Sequence, residues 1–198
     1  MSSGLSQVAL QSCVSCAADV RDVQSSVYQS LVVALVLSRL DYGNATLAGL
    51  PACLLNRLQS VLNAAARSIA SLRRSEHITD ALASFHWLRA PERIKFKLAV
   101  TVYRALHGTA PQYLSDRLQY VADLPTRRRG RLRSSTSSLL DVRPSRRVTI
   151  GDRSFAAAGP RLWNNLPADV QSAPSLTTFR QKLKTHLFRQ SYPDIVII

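Results

Sequence analysis

Residues 151–167 constrain the fold more than any other stretch, because glycine, proline and large apolar residues are crowded together there. Pro160 has no N–H and a fixed φ angle, so Gly159 followed by Pro160 predicts a turn or the start of a helix inside the stretch. Trp163 is large enough to anchor a small core. Its apolar neighbours in the stretch are Phe155, Leu162 and Leu166. The stretch therefore predicts a segment that packs around a tryptophan and is not one uninterrupted helix.

Apolar residues at helical spacing predict helices along most of the rest of the chain. A first helix is expected over 27–40, and its continuous apolar run from 31 to 37 indicates that it is buried. Further helices are expected after Pro51, after Pro91 and after Ser175, which is a good N-cap residue. The pattern predicts a mainly α fold.

Glycines mark two of the helix ends, and one region has strand character. Gly43 and Gly108 are expected to stop the helices that precede them. The β-type runs 139–142 and 147–150 predict a short hairpin. The chain then divides into a helical lobe and a small C-terminal lobe, which holds the hairpin and a terminal helix. The predicted boundaries are a weakly structured segment 1–24, a helical lobe 25–124, an Arg-rich linker 125–138, a hairpin-plus-helix lobe 139–192 and a tail 193–198.

The net charge points to a class of partner. Lys and Arg number 26 against 12 Asp and Glu, so the formal net charge is +14. This excess indicates a polyanion, with nucleic acid the first candidate and an acidic membrane surface the second. A solvated basic surface without a ligand is the plain alternative. The candidate phosphate-contacting residues are Arg127, Arg128, Arg129, Arg131 and Arg133 in the linker, Arg67, Arg73 and Arg74 along one edge of the helix after Pro51, and Lys182 and Lys184 in the last helix.

Other functional classes are disfavoured by the residues present. Cys13, Cys16 and Cys53 are an odd number without a disulfide framework, and the four histidines offer no matching close pair for zinc. The chain has no Walker-type phosphate loop and no hydrolase elbow motif. It also has no secretory signal, and the apolar run is too short to span a bilayer. We therefore expect an intracellular protein, nuclear or cytoplasmic, without metal, cofactor, small-molecule substrate or membrane.

Several motifs occur in order along the chain and resemble those of one family. The matching stretches are 38–44 (SRLDYGN), 47–51 (LAGLP), 63–67 (NAAAR), 77–79 (HIT), 86–88 (HWL), 93–98 (RIKFKL), 103–108 (YRALHG) and 151–167 (GDRSFAAAGPRLWNNLP). Together they resemble the post-palm, thumb-like C-terminal region of reverse transcriptases from LINE-type (non-LTR) retrotransposons, in the jockey-like and chicken-repeat-like clades. Gly43 stands where that family usually has cysteine, and Arg89 where it usually has proline.

The resemblance implies a part of a polymerase that lacks the catalytic centre. The family's chemistry uses an adjacent Asp-Asp pair on the palm, and this chain contains no such pair. We therefore expect no enzymatic activity of its own. Asp152, beside Arg153, is better explained as a turn or salt-bridge residue than as a base. The residues that the resemblance marks as structural are Asp41, Tyr42, Trp87, Gly151, Asp152, Arg153, Phe155, Pro160, Leu162 and Trp163.

Two functions from different classes follow from these observations. The first is a non-catalytic fragment that contacts the phosphate backbone of RNA or DNA, with little base specificity, in support of RNA-templated DNA synthesis. The second is a protein-interaction or packing module whose apolar faces normally dock on a reverse-transcriptase palm. A relic reading frame without a function is a third possibility.

Overall fold

The computed structural model describes residues 25–124, 139–144 and 151–193 of the chain. The described residues are mainly helical, which confirms the predicted fold class, and they contain no sheet or barrel. They divide into two compact units. Unit 1 comprises residues 25–42, Leu50–Arg93 and 188–193, and unit 2 comprises Gly43–Gly49 and the described part of Ile94–Leu187. The predicted linker 125–138 lies outside the described residues, so the predicted domain boundaries stay a prediction.

Unit 1 begins with a helix that changes its hydrogen-bonding pattern midway. Helix α1 (Ser25–Val32) continues into a π-helical segment (Val33–Leu37) and then into α2 (Ser38–Asp41), which confirms the helix predicted over 27–40. The prediction that the apolar run 31–37 is buried is wrong for half of it. The buried members of the run are Val32, Val36 and Leu37, whereas Leu31, Val33, Ala34 and Leu35 are exposed. A helix at the surface can bury only one side, so a run that is apolar all round leaves its other side in water.

Two further helices and a connector complete the centre of unit 1. Helix α3 (Ala52–Ala70) follows Pro51 directly, and α4 (Thr79–Ser84) follows a turn. Leu62 and Ala65, three residues apart on α3, are completely buried and lie on the side of the helix that faces the core. The Tyr28 hydroxyl of α1 is hydrogen-bonded to the Ser68 hydroxyl of α3.

The connector after α4 contacts residues 188–193 within unit 1. Trp87 and Leu88 are buried there, and the hydroxyl of Tyr192 donates a 2.8 Å hydrogen bond to the carbonyl oxygen of Trp87. The guanidinium of Arg89 lies 5.2 Å from the centre of the Tyr192 ring. Burial raises the pKa of the Tyr192 phenol, partly opposed by Arg89, so the donating neutral form is favoured. The stability that the neutral Tyr192 phenol contributes is therefore fully present below the ordinary tyrosine pKa. It is lost as the pH rises through the raised pKa of Tyr192 in the folded protein.

Unit 2 is built from short helices around two longer ones. The long helices are α5 (Ala90–Leu106), of which residues from Ile94 onward belong to unit 2, and α9 (Leu176–Ser191), of which residues up to Leu187 do. The short α-helices are α6 (Gln112–Ser115), α7 (Phe155–Asn164) and α8 (Ala168–Gln171). Short 3-10 turns cover Asn44–Leu47, Val121–Asp123 and Gly151–Arg153.

An aromatic cluster forms the core of unit 2. The ring of Tyr103 in α5 stacks on that of Phe179 in α9, with 4.3 Å between centroids, and Trp163 of α7 stacks on Phe179 at 5.9 Å. All three side chains are buried, and the Tyr103 hydroxyl donates a 3.0 Å hydrogen bond to the carbonyl oxygen of Ala173. Trp163 therefore anchors a core, as its sequence environment predicts.

Helix α7 corrects the interpretation of Pro160. The sequence predicts a break or a helix start there, but Pro160 lies inside α7. Proline cannot donate to the carbonyl of Ala156 one turn earlier, which costs a helix about 3 kcal/mol. Gly159 reduces the steric part of this cost because it has no Cβ to meet the proline ring. A Cβ at Gly159 would also lie 3.0 Å from Cγ2 of Val102, so its absence lets α7 pack closely. Burial of Pro160 and Trp163 offsets the lost hydrogen bond.

The predicted β-hairpin is not supported. Its second run, 147–150, lies outside the described residues, and Leu140 of the first run forms an isolated antiparallel bridge with Tyr120. The side-chain amide of Asn164 accepts the Leu140 N–H and donates to the Leu140 carbonyl, both at 2.9 Å. Because Asn164 and the stretch at Tyr120 satisfy this backbone, the first run needs no hairpin partner.

Candidate nucleic-acid interface

Within the described ranges, no group of three or more His, Cys, Asp and Glu side chains could hold a metal ion. The carboxylates with the clearest contacts are engaged in structural interactions within their own units. Asp41 is paired with Arg93, Asp152 with Arg161, and Glu76 Oε2 accepts the backbone N–H of Arg73 at 2.9 Å. These acids are therefore placed to hold turns and helix ends.

The pair of Asp41 and Arg93 is the best-shielded of these contacts. Arg93 donates from Nη2 to both carboxylate oxygens at 2.8 Å, and from Nε to Oδ1 at 3.0 Å. The side chain of Arg93 is only 16% exposed and that of Asp41 only 25%. Forked contacts of this kind are strong when partly buried. The pair joins the end of α2 to the first turn of α5 within unit 1, so Asp41 has a structural role.

We expect Arg93→Ala to lower the free energy of unfolding by about 1–3 kcal/mol, between the values typical of exposed and fully buried pairs. A double-mutant cycle with Asp41→Ala, followed by urea unfolding, isolates the interaction of the two side chains. Arg39→Ala is the matched control, since Arg39 lies exposed on α2. A coupling energy indistinguishable from zero would contradict a structural role for the pair.

The charged residues of the stretch 151–167 also make contacts within the protein. Arg161 donates to Oδ1 of Asp152 at 3.0 Å, and Nε of Arg153 donates to the carbonyl oxygen of Gly49 at 3.1 Å. Gly49 has a φ of +71°, a conformation that favours glycine. Asp152 is thus the salt-bridge residue that the sequence predicts. Phe155 and Leu162 are half-buried in α7.

Arg67, in the last turn of α3, lies close to Arg73 and Arg74 in the turn that follows, but the three arginines are not equivalent. Arg67 is half-buried and donates from Nη2 to the carbonyl oxygen of Glu76 at 3.3 Å, so it holds the turn closed. Its Nε is buried without a hydrogen-bond partner among the described residues. Arg73 and Arg74 are adjacent and exposed. The part of this cluster that is open to a phosphate is therefore Arg73 and Arg74.

The two lysines of α9 are not brought together. They are two residues apart, which places them about 160° apart around a helix. The ammonium of Lys182 donates to the carbonyl oxygen of Asp169 at 2.9 Å, whereas Lys184 is exposed one helical turn after the exposed Arg180. Lys184 and Arg180 share a face, so the structure adds Arg180 to the candidate residues.

The remaining candidates cannot be placed. Arg127, Arg128, Arg129, Arg131 and Arg133 all lie outside the described residues, so their assignment stays a prediction. Within the described ranges, the candidates therefore lie in small basic clusters, each within its own unit.

One apolar surface stands out in unit 1. The side chains of Val27, Leu31 and Leu35 on α1 and the π-helical segment are 47–48% exposed and follow one another at four-residue spacing, and we call them the apolar ridge. Tyr42, at the end of α2, is 89% exposed. The sequence could not show which side of this helix faces water, because the run is apolar on every side.

None of the described helices combines the length and hydropathy needed to cross a membrane. Comparisons with protein-family models, with curated proteins and with solved structures found no match to this chain.

Proposed function

We propose that this chain is a non-catalytic, intracellular part of a LINE-type reverse transcriptase that contacts the phosphate backbone of RNA or DNA. The observation that carries the proposal is the formal net charge of +14. A compact chain with this charge repels itself, and a polyanion relieves the repulsion by releasing its counterions when it binds.

The use of the acids supports this proposal. Asp41, Asp152 and Glu76 are engaged in contacts within the protein, so they are poorly placed to neutralise the exposed cations elsewhere. The exposed clusters of Arg73 with Arg74 and of Arg180 with Lys184 offer point contacts to phosphates. Contacts of this kind set affinity and register but do not read bases. The family assignment rests on the order of the sequence motifs.

Binding and primer extension together test this function. We expect the purified chain to bind a labelled structured RNA at about 0.15 M salt, a typical physiological ionic strength. It should not extend a DNA primer on that RNA when deoxynucleotides and Mg²⁺ are added. A folded, monodisperse sample that does not bind RNA or DNA would contradict the binding function. Nucleotide incorporation that survives repurification would contradict the non-catalytic assignment.

The apolar ridge favours a second candidate function, that of a packing module docked on a polymerase palm. The segment 25–38 that carries the ridge contains no charged residue in a strongly basic chain. An uncharged helix side with three large exposed apolar groups at four-residue spacing is unsuited to phosphate and suited to another apolar surface. Both functions can coexist in one chain, since the ridge and the basic clusters use different residues.

Replacing both Leu31 and Leu35 with serine is expected to abolish any association of the purified chain through the ridge. Light scattering across protein concentration should show an apparent association constant at least about tenfold lower, because two side chains that are nearly half-exposed no longer gain from burial. The association of the unchanged chain should persist in high salt, unlike phosphate binding. Tyr113→Ser is the control, since Tyr113 is 67% exposed in unit 2. Association that the double variant leaves unchanged would exclude the ridge as the docking surface.

A further inference from the structure

The side chain of Tyr42 is exposed, so packing in the core of unit 1 does not explain why an aromatic residue stands there. Its side chain is 89% exposed, whereas Trp87, Phe188 and Tyr192 of the same unit are buried. Its backbone N–H donates to the carbonyl oxygen of Ser38 at 3.0 Å and so closes the last turn of α2. The backbone of Tyr42 is therefore fixed at the end of α2, while its ring is exposed to solvent.

The charges around the ring suit a nucleic acid. Arg39 precedes Tyr42 by three residues and is exposed, so the two positions are neighbours on the surface of the helix end, with Cβ atoms about 5–6 Å apart. Asp41 would repel a phosphate if its charge were free, but Arg93 holds it by contacts of 2.8–3.0 Å. The ring therefore lies beside one exposed positive charge and one neutralised negative charge.

We propose that Tyr42 stacks on an unpaired base of single-stranded RNA or DNA while Arg39 contacts an adjacent phosphate. This inference rests on the proposed nucleic-acid function and narrows it to strands with accessible base faces. In a duplex the faces of the bases are covered by their stacked neighbours, so an exposed ring gains a stacking partner only from a splayed or unpaired base. Stacking of this kind tolerates every base, which agrees with binding that is not sequence-specific.

Tyr42→Ala is the variant that tests the stacking contact. We expect its affinity for a labelled single strand to be about 5- to 150-fold lower than that of the unchanged chain, the range found for removal of one stacking aromatic. Its affinity for a duplex of the same length should change by less than about twofold. Tyr42→Phe should retain binding, because the ring face is kept. A 2-aminopurine placed in the single strand should report the stack by a fluorescence change that Tyr42→Ala removes, and separate RNA and DNA strands distinguish the two sources of the base.

Two further variants separate stacking from charge. Arg39→Ala should lower the salt slope of single-strand binding by about 0.7, the value for one phosphate contact. Tyr113→Ala removes an aromatic side chain that is 67% exposed in unit 2, and it should leave single-strand binding unchanged.

The outcomes distinguish this inference from the function on which it rests. If the unchanged chain binds single strands in a salt-dependent way and Tyr42→Ala binds equally well, the stacking role is overturned and phosphate binding stands. An equal loss on duplex and single strand, or an equal loss with Tyr113→Ala, also overturns it. If the unchanged chain binds neither, both proposals are overturned. Circular dichroism of each variant excludes unfolding as the cause of a loss.

Discussion

Replacing Phe179 with alanine is expected to lower the free energy of unfolding by about 3–5 kcal/mol, the cost of truncating a buried aromatic side chain. Phe179 is completely buried, and it stacks on Tyr103 at 4.3 Å and on Trp163 at 5.9 Å. Removal of its ring would leave a cavity bordered by two rings attached to other helices. Since a domain of this size is stable by only about 5–15 kcal/mol, unit 2 should become marginal.

Guanidinium unfolding followed by near-ultraviolet circular dichroism measures this loss, because the aromatic signal reports the packing of the rings. Phe179→Leu should cost clearly less than Phe179→Ala, since it keeps most of the buried volume. Tyr113→Ala should change stability by less than about 0.5 kcal/mol, as expected for an exposed position. A loss for Phe179→Ala below about 1 kcal/mol would show that the three rings are not the core of unit 2.

Replacing the five arginines at 127, 128, 129, 131 and 133 with serine is expected to lower the affinity for duplex DNA by about three orders of magnitude at 0.15 M salt. Each phosphate contact that is lost removes about 0.9 from the slope of log affinity against log salt, and the effect accumulates over five residues. These arginines are close in sequence and are separated only by Gly130 and Leu132. Such a run can follow a phosphate backbone without a preformed site.

The matched control replaces the same five arginines with lysine. Lysine keeps the positive charge but not the forked donor geometry, so affinity should fall by much less than in the serine variant. Equal losses in the two variants would show that geometry matters and that charge alone does not account for binding. An unchanged affinity in the serine variant would show that the five arginines do not bind DNA, and would assign the interface to the clusters at Arg73 and at Lys184.

Local signals in the sequence correctly predicted the ends of several helices. Gly43 and Gly108 have φ angles of +69° and +67°, so each ends a helix in the conformation that glycine adopts most readily. Ser175 accepts the Thr178 N–H at 3.2 Å and caps α9 as predicted. Signals of this kind depend on a few neighbouring residues, and a sequence displays them directly.

Features of the structure that depend on residues distant in the sequence could not be predicted from local signals. Pro160 lies within α7, where the neighbouring Gly159 packs closely against Val102 more than fifty positions earlier, and no local rule contains that information. The exposed half of the run 31–37 depends on which side of the helix meets α3. Likewise, the sequence marked Arg67 and Lys182 as cations but could not show that Glu76 and Asp169 already accept their hydrogen bonds.

The salt dependence of nucleic-acid binding tests the central claim most directly. Affinity for a labelled RNA and a labelled duplex should be measured by fluorescence anisotropy between about 0.05 and 0.5 M salt, with the folded state checked at each end of the range. We predict that log affinity falls linearly with log salt, with a slope steeper than about −3, as expected when several phosphates are neutralised. A slope near zero, or no binding by the folded chain at low salt, would contradict the claim that its positive charge serves to hold nucleic acid.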